Sequence, residues 1–278
     1  MTATARRPRR IWLVADDYGI SRSVNAAIRD LLAGGRINAA SVMVVGHGFD
    51  QQEADRLAAL RAQARLAIGV HLTLTAPFRP LGPGALATRA GTFAPLGRVL
   101  VAALLGRVDR AAAAAELRAQ IATFRSAFGR PPDFVDGHQH VHLLPGISAG
   151  VLAVIKDAAP QAWVRQCGRA SGAPFDRKAV LLDLLSRRFR RHAAAAGVAT
   201  NPAFAGTYQF RPQARFAELF PTFLDGLPDG GLIMCHPGLV DAELARCDAL
   251  TTLREREYEF FRSEAYPAIM AAKNVALL

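Results

Sequence analysis

The sequence has 278 residues, of which 51% are apolar and 21% charged, a balance that suits a globular domain with a full core and excludes a disordered or fibrous chain. The formal charge is +11, and the three cysteines (Cys167, Cys235, Cys247) have no CxxC spacing. Neither a disulfide framework nor a zinc-finger cluster is indicated, and a reducing cytoplasm is the simplest compartment.

Residues 1–10 (MTATARRPRR) read as a basic, disordered tail, and 11–278 as one domain. The apolar run that follows the tail, residues 11–15, is too short for a signal segment or a membrane span. The positive charge is concentrated in Arg6, Arg7, Arg9 and Arg10, and again in Arg187, Arg188, Arg190 and Arg191. Such clusters attract nucleic acid or anionic lipid. No aromatic-basic RNA motif, zinc finger or clear helix-turn-helix accompanies them, so no nucleic-acid partner is expected. Compositional bias towards Arg and Ala also produces such clusters.

In chain order, residues 11–14 (IWLV) predict a short buried strand that runs into Ala15-Asp16-Asp17-Tyr18-Gly19. Ser21 is a candidate N-cap, and Val24, Ala27, Ile28, Leu31 and Leu32 recur at helical spacing until Gly34-Gly35. Residues 39–45 predict a second strand, 50–65 a helix, and 66–75 (LAIGVHLTLT) a third strand with His71 inside it. Residues 76–110 are rich in Pro and Gly and read as an excursion with only local order. A helix over 111–128 ends at Gly129-Arg130-Pro131-Pro132.

The next stretch, residues 133–144 (DFVDGHQHVHLL), holds three of the seven histidines. If it is extended, Asp136, His138, His140 and His142 share parity and project from one face. Its flanks (Phe134, Val135, Val141, Leu143, Leu144) are apolar, so it reads as a buried strand that runs into a polar site. Neutral imidazole is the commonest metal ligand, which points to a metal site; a surface histidine cluster is the alternative. Then come a helix over 147–158, a short strand at 163–166, a basic helix over 177–196, a strand or loop at 202–206 and a helix over 216–224. A buried strand at 231–235 ends in His236-Pro237-Gly238. A surface helix over 251–263 and a last strand at 275–278 complete the chain.

Strands alternate with helices throughout, which argues for an α/β fold with a mostly parallel sheet or barrel of seven or eight strands. Asp16-Asp17, His138 and His236 fall where strands end, and in such folds the site sits at the carboxyl ends of the strands. Taken singly, each has a plain reading. His71 could be a satisfied core histidine, Asp16-Asp17 a helix-capping pair, and His236 a turn residue. Together, at four strand ends, they point to one site.

ADDYG (15–19), GVHLTLT (69–75), DGHQHVH (136–142) and CHPG (235–238), in that order and spacing, resemble the YdjC-like carbohydrate deacetylases, the ChbG/HpnK family. The resemblance runs over residues 11–278. Tyr18 departs from it, standing where phenylalanine is usual, and the 76–110 excursion has no counterpart. The resemblance implies an irregular (β/α) barrel of the glycoside hydrolase/deacetylase type and one divalent metal ion, Mg2+ or Zn2+. It implies Asp17, His71 and His138 as ligands and Asp16 as catalytic base, with His236 as a general acid or an oxyanion-side group. Along an extended strand His138 and His142 lie roughly 13 Å apart, too far to share a metal without a bend. His140 and His142 are therefore expected to support the ligands from behind or to meet the substrate, with Asp136 as an orienting carboxylate.

The expected function is metal-dependent hydrolysis of the acetamide of an N-acetylated sugar, either an oligosaccharide or a lipid-linked amino sugar. Hydrolysis of an ester or phosphoester is the alternative within enzymes. A non-catalytic sugar- or lipid-surface-binding protein is the alternative outside them. Members of the HpnK type are associated with hopanoid biosynthesis, so the resemblance admits peripheral membrane contact through the Arg clusters. Trp163, Tyr208 and Phe210 are candidates to stack on a sugar, although core packing explains them as well. The sequence is silent on oligomeric state, a homodimer being one option.

Overall fold

The apolar run near the N-terminus becomes the hub of the fold. This computed structural model describes residues 7–82, 86–170 and 177–278. The hub is β1 (Arg9–Tyr18), whose last six residues are all buried. It is followed by α1 (Arg22–Ala33), β2 (Ala39–Val42), α2 (Gln51–Gln63), β3 (Ala67–Leu72), α3 (Leu96–Leu104), α4 (Arg110–Phe128) and β4 (Phe134–Gly137). A 3-10 turn (His138–Leu143) leads to α5 (Ser148–Ala158), β5 (Trp163–Val164), α6 (Arg177–Ala196), β6 (Phe204–Ala205) and α7 (Phe216–Phe223). The chain ends with β7 (Leu232–Cys235), α8 (Ala242–Cys247), α9 (Thr252–Arg262), α10 (Ala265–Ala272) and β8 (Val275–Leu277).

All the strand pairings are parallel, in the order β5-β4-β3-β2-β1-β7-β6, with β8 beside the first residues of β1. Isolated bridges from Val164 to Thr200 and from Arg169 to Phe204 join the two edges. This is the expected irregular (β/α) barrel. The helices cover it with the faces their periodicity predicts. Ser21 caps α1, accepting from the Val24 N–H, and Val24, Ile28, Leu31 and Leu32 pack inward. Fully buried Ile11, Leu13 and Val14 of β1 each contribute about 1.5–3 kcal/mol of transfer free energy. At the amino-terminal ends of the strands, Trp163 stacks on Phe134 with centroids 4.6 Å apart and on Trp12 at 6.0 Å. Trp163 is therefore core packing at the end of the barrel away from the histidines.

The structure corrects several expectations. Arg9 and Arg10 belong to β1, so the strand begins inside the expected tail; residues 1–6, with Arg6, lie outside the described residues. The excursion contains α3, whose N-terminus makes no side-chain cap bond, so the usual start signal is missing from the sequence. The histidine stretch is a strand only as far as Gly137. Gln139 and His140 then take left-handed backbone angles (φ 54° and 59°), which breaks the expected parity. The expected surface helix α9 buries Leu253, Arg254, Glu257, Phe260 and Phe261. The arginines at 187, 188, 190 and 191 are exposed on α6, and no described helix is long and apolar enough to cross a membrane.

Gly19 closes the turn after β1. Its φ is +102°, and a Cβ there would lie 2.6 Å from the Met43 carbonyl oxygen. Gly19→Ala is expected to destabilise the fold by about 2–4 kcal/mol, as both backbone strain and a backbone clash arise. Urea unfolding of the variant against the parent checks this.

Candidate metal centre

Adjacent residues of a regular strand point to opposite faces. At the end of β1 that rule is broken. Ala15 pairs with Ala40 but Tyr18 with Val42, so three steps along β1 face two along β2, and Asp17 takes φ 68°. The bulge turns Asp16 and Asp17 into one cavity. The neighbouring strands supply the rest. His71 of β3 is in register with Asp136 of β4, and His138 follows directly after β4. His236 follows β7.

The structure brings Asp17, His71 and His138 together. Asp17 Oδ1 lies 2.9 Å from His138 Nδ1 and 3.3 Å from His71 Nε2, and the three donors all lie within 4.8 Å of one another. Two ligands held about 2.1 Å from one cation at roughly 90–110° are themselves about 3.0–3.4 Å apart, so this oxygen and two nitrogens fit a divalent ion. With His71 Nδ1 protonated, it donates to Asp136 Oδ1 (2.6 Å), which fixes the ring and leaves Nε2 facing Asp17. Ser41 Oγ donates to the same Asp136 oxygen. Asp16 sits beside the triad, with both oxygens bound by Arg165 at 2.6 and 2.7 Å. Arg165 also pairs with Asp136 Oδ2 (2.5 Å).

The other histidines separate. His142 Nε2 donates to the Arg165 carbonyl (2.9 Å), and burial lowers its pKa to about 4, so it is a neutral core group that supports the Arg165 backbone. His140 lies 3.5 Å from Cys167 Sγ, edge-on to Phe204, and lines the cavity. Of the three candidate aromatics only Phe210 lines the cavity, with its ring edge-on to His236; Tyr208 donates instead to Glu257 (2.6 Å). The cavity has a volume of 370 Å³. A larger one of 630 Å³, between β6 and α7, has no histidine in its walls.

Burial would raise the Asp17 carboxyl, but His138 and Arg254 reverse this and hold it well below the usual carboxylate range. Burial opposes charge on His71 too, yet Asp136 and Asp16 raise it to about 10. The carboxylates around His71 thus favour a positive charge at its position, from a proton or from a bound cation. Burial pushes Asp16 up against the pull of Arg165, whereas Arg165 and His71 overcome burial and hold Asp136 at about 2. Burial also holds His236 well below the usual imidazole range, so it is neutral at pH 7.

Sequence reasoning missed Arg165, Arg254 and Glu257. An arginine directly after the buried strand residue Val164 was a usable signal, because a buried charge requires a partner. Arg254 and Glu257 carried none, being two among the many charges of residues 251–263.

A family model described as YdjC-like protein matches residues 10–272. The carbohydrate deacetylase of Geobacillus stearothermophilus is 28% identical over 274 residues, 98% of this chain and 96% of that protein. The chitooligosaccharide deacetylase of Serratia marcescens is 30% identical over 233 residues, 83% of this chain and 82% of that one. The solved structure of a proposed cellobiose-phosphate cleavage protein of Enterococcus faecalis V583 is 22% identical, with a TM-score of 0.75 over 98% of this chain and 97% of that one; the likeness is one of fold. With its family match spanning residues 10–272, the chain belongs to the YdjC-like protein family.

Proposed function

We propose that the chain is a metal-dependent N-deacetylase that hydrolyses the acetamide of an N-acetylated sugar. The observation that carries this reading is the convergence of Asp17, His71 and His138 beside Asp16 in one cavity. The relatives named carbohydrate deacetylase and chitooligosaccharide deacetylase supply the substrate class.

A divalent ion such as Zn2+ or Mg2+, held by Asp17, His71 and His138, would supply Lewis-acid activation of water and of the acetyl carbonyl. Asp16 takes the proton of the attacking water. Arg165 holds both Asp16 oxygens and so fixes the direction from which that proton is taken. The water oxygen bonds to the acetyl carbon, the carbon–nitrogen bond breaks, and Asp16 passes its proton to the departing amine. The products are acetate and a free amino sugar. Because burial keeps His236 neutral, its role is a hydrogen bond on the oxyanion side rather than proton delivery. Phe210 is placed to pack against the sugar. The exposed arginines of α6 suit an anionic surface, and salt-insensitive recovery with anionic vesicles would remove that suggestion.

Asp17→Ala and His138→Ala are each expected to weaken zinc(II) binding by at least about 100-fold and to abolish acetate release from chitooligosaccharides. Calorimetry and an acetate assay check both; parental activity in either variant contradicts the reading. A phosphoester and an ester in the same substrate panel should not be turned over at a comparable rate.

Asp16→Asn is expected to lower kcat by about 10²–10⁴-fold while zinc binding persists. The base works only when ionised, and burial raises its pKa. The acidic limb of the kcat/KM profile should therefore lie above the ordinary aspartate range, with activity rising as pH rises through it. Removing the lowering influence of Arg165 (Arg165→Met) should move that limb to higher pH; a limb unmoved in that variant would count against Asp16 as the base.

A further inference from the structure

Helix α9 sends two charged side chains, one turn apart, into the barrel. Both are fully buried. Arg254 Nη2 donates to Asp17 Oδ2 at 2.6 Å and to Asp248 Oδ2 at 2.5 Å, while its Nε donates to the Leu250 carbonyl at 3.0 Å. Glu257 Oε2 accepts the backbone N–H of His236 at 2.6 Å, and its Oε1 accepts the Tyr208 hydroxyl at 2.6 Å. The loop after β7 is shaped to admit this helix. Gly238 N–H donates to the Arg254 carbonyl at 3.0 Å, and a Cβ on Gly238 would lie 3.4 Å from Arg254 Cβ and Cδ and 2.9 Å from Val24 Cγ2. Residues i and i+3 share one face of a helix, so a single rigid element reaches two strand ends at once.

We propose that Arg254 and Glu257 are positioning residues that divide the site between them: Arg254 sets the metal ligand Asp17, and Glu257 sets His236. The proposal rests on the deacetylase reading for the roles of Asp17 and His236. Arg254 occupies Oδ2 of Asp17, which leaves Oδ1 for His71, His138 and the cation. It also ties down a residue whose left-handed backbone has no glycine to make it easy. Asp248, bound to the same nitrogen, offsets the guanidinium charge, so Arg254 acts on the ligand by geometry rather than by repelling a cation. Glu257 acts on a different segment. It fixes the backbone of His236, and with it the direction of the ring, without touching any residue of the triad. Its second oxygen joins Tyr208 to the same anchor.

The two positions therefore have separable signatures. Zinc(II) titration calorimetry and acetate-release kinetics on a chitooligosaccharide are measured for the parent, Arg254→Met, Arg254→Lys and Glu257→Gln, with thermal unfolding alongside. Arg254→Met is expected to weaken zinc affinity by about 10–100-fold, with partial recovery in Arg254→Lys. Glu257→Gln is expected to leave zinc affinity within about threefold of the parent and to lower kcat by about 10–100-fold with little change in KM. Loss of zinc affinity and activity in all variants in proportion to lost thermal stability would overturn the proposal, as would unchanged zinc affinity in Arg254→Met. If the parent takes up no zinc and releases no acetate, the deacetylase reading fails instead. The division is then decided by the histidine side-chain nitrogen resonances. Arg254→Met should move those of His71 and His138, and Glu257→Gln those of His236; movement of all three in both variants overturns it.

Discussion

One backbone irregularity makes this site, the left-handed turn of Asp17 inside a bulge of β1. In a regular strand Asp16 and Asp17 would face opposite sides of the sheet. Holding a non-glycine residue in that region costs about 1–3 kcal/mol and persists only where the surroundings over-determine it. They do so here. The Ile20 N–H donates to the Asp17 carbonyl (3.0 Å), Asn25 Oδ1 accepts the Gly19 N–H (2.5 Å), and Arg254 holds the side chain. Strands on either side then need only end nearby for His71, His138 and His236 to reach the same cavity.

Charge is the second constraint. Asp16, Asp17 and Asp136 are all buried, and Arg165 and Arg254 are the buried guanidiniums that face them. Asp248 also pairs with Arg254, and Asp136 and Asp16 together favour a positive charge at His71, whether from a proton or from a bound cation. Buried ion pairs contribute little net stability because desolvation offsets their attraction, but removing one partner is costly. The network is better understood as fixing geometry. Arg165 binds Asp16 through both oxygens, Asp136 holds the His71 ring, and His142 supports the Arg165 carbonyl. Each of those contacts joins residues far apart in sequence, so the site and the barrel form together.

Much of the fold was legible because apolar runs and glycine or proline stops mark parallel strands and their helices clearly. Residues 66–75 and 231–235 each contain an observed strand, residues 11–14 lie inside the longer β1, and α4, α5 and α7 begin within one residue of their expected starts. The residues that converge in the cavity, Asp17, His71 and His138, were picked out by short motifs rather than by periodicity. What failed has a physical cause. The parity argument for residues 136–142 assumed extended backbone, and Gln139 and His140 leave it, so His138 and His140 line the cavity while His142 turns into the core. Asp, Asn and His enter the left-handed region more readily than other non-glycine residues, but that preference alone does not single out Asp17 and His140 among the many such residues of the chain. Helix α9 was read as a surface helix because Glu and Arg are usually solvated, whereas Arg254 and Glu257 are buried by partners on β1 and after β7. Such partners, more than 20 residues away in the case of His236 and over 200 in that of Asp17, lie outside any local window.

The most direct measurement is anomalous diffraction at the zinc edge from crystals of the full chain grown with zinc(II). One ion is predicted, with Asp17 Oδ1, His71 Nε2 and His138 Nδ1 each within about 2.0–2.2 Å. An ion bound instead through His140 or His142, or no ion between the three side chains at saturating zinc, would contradict a single centre built on the turn at Asp17.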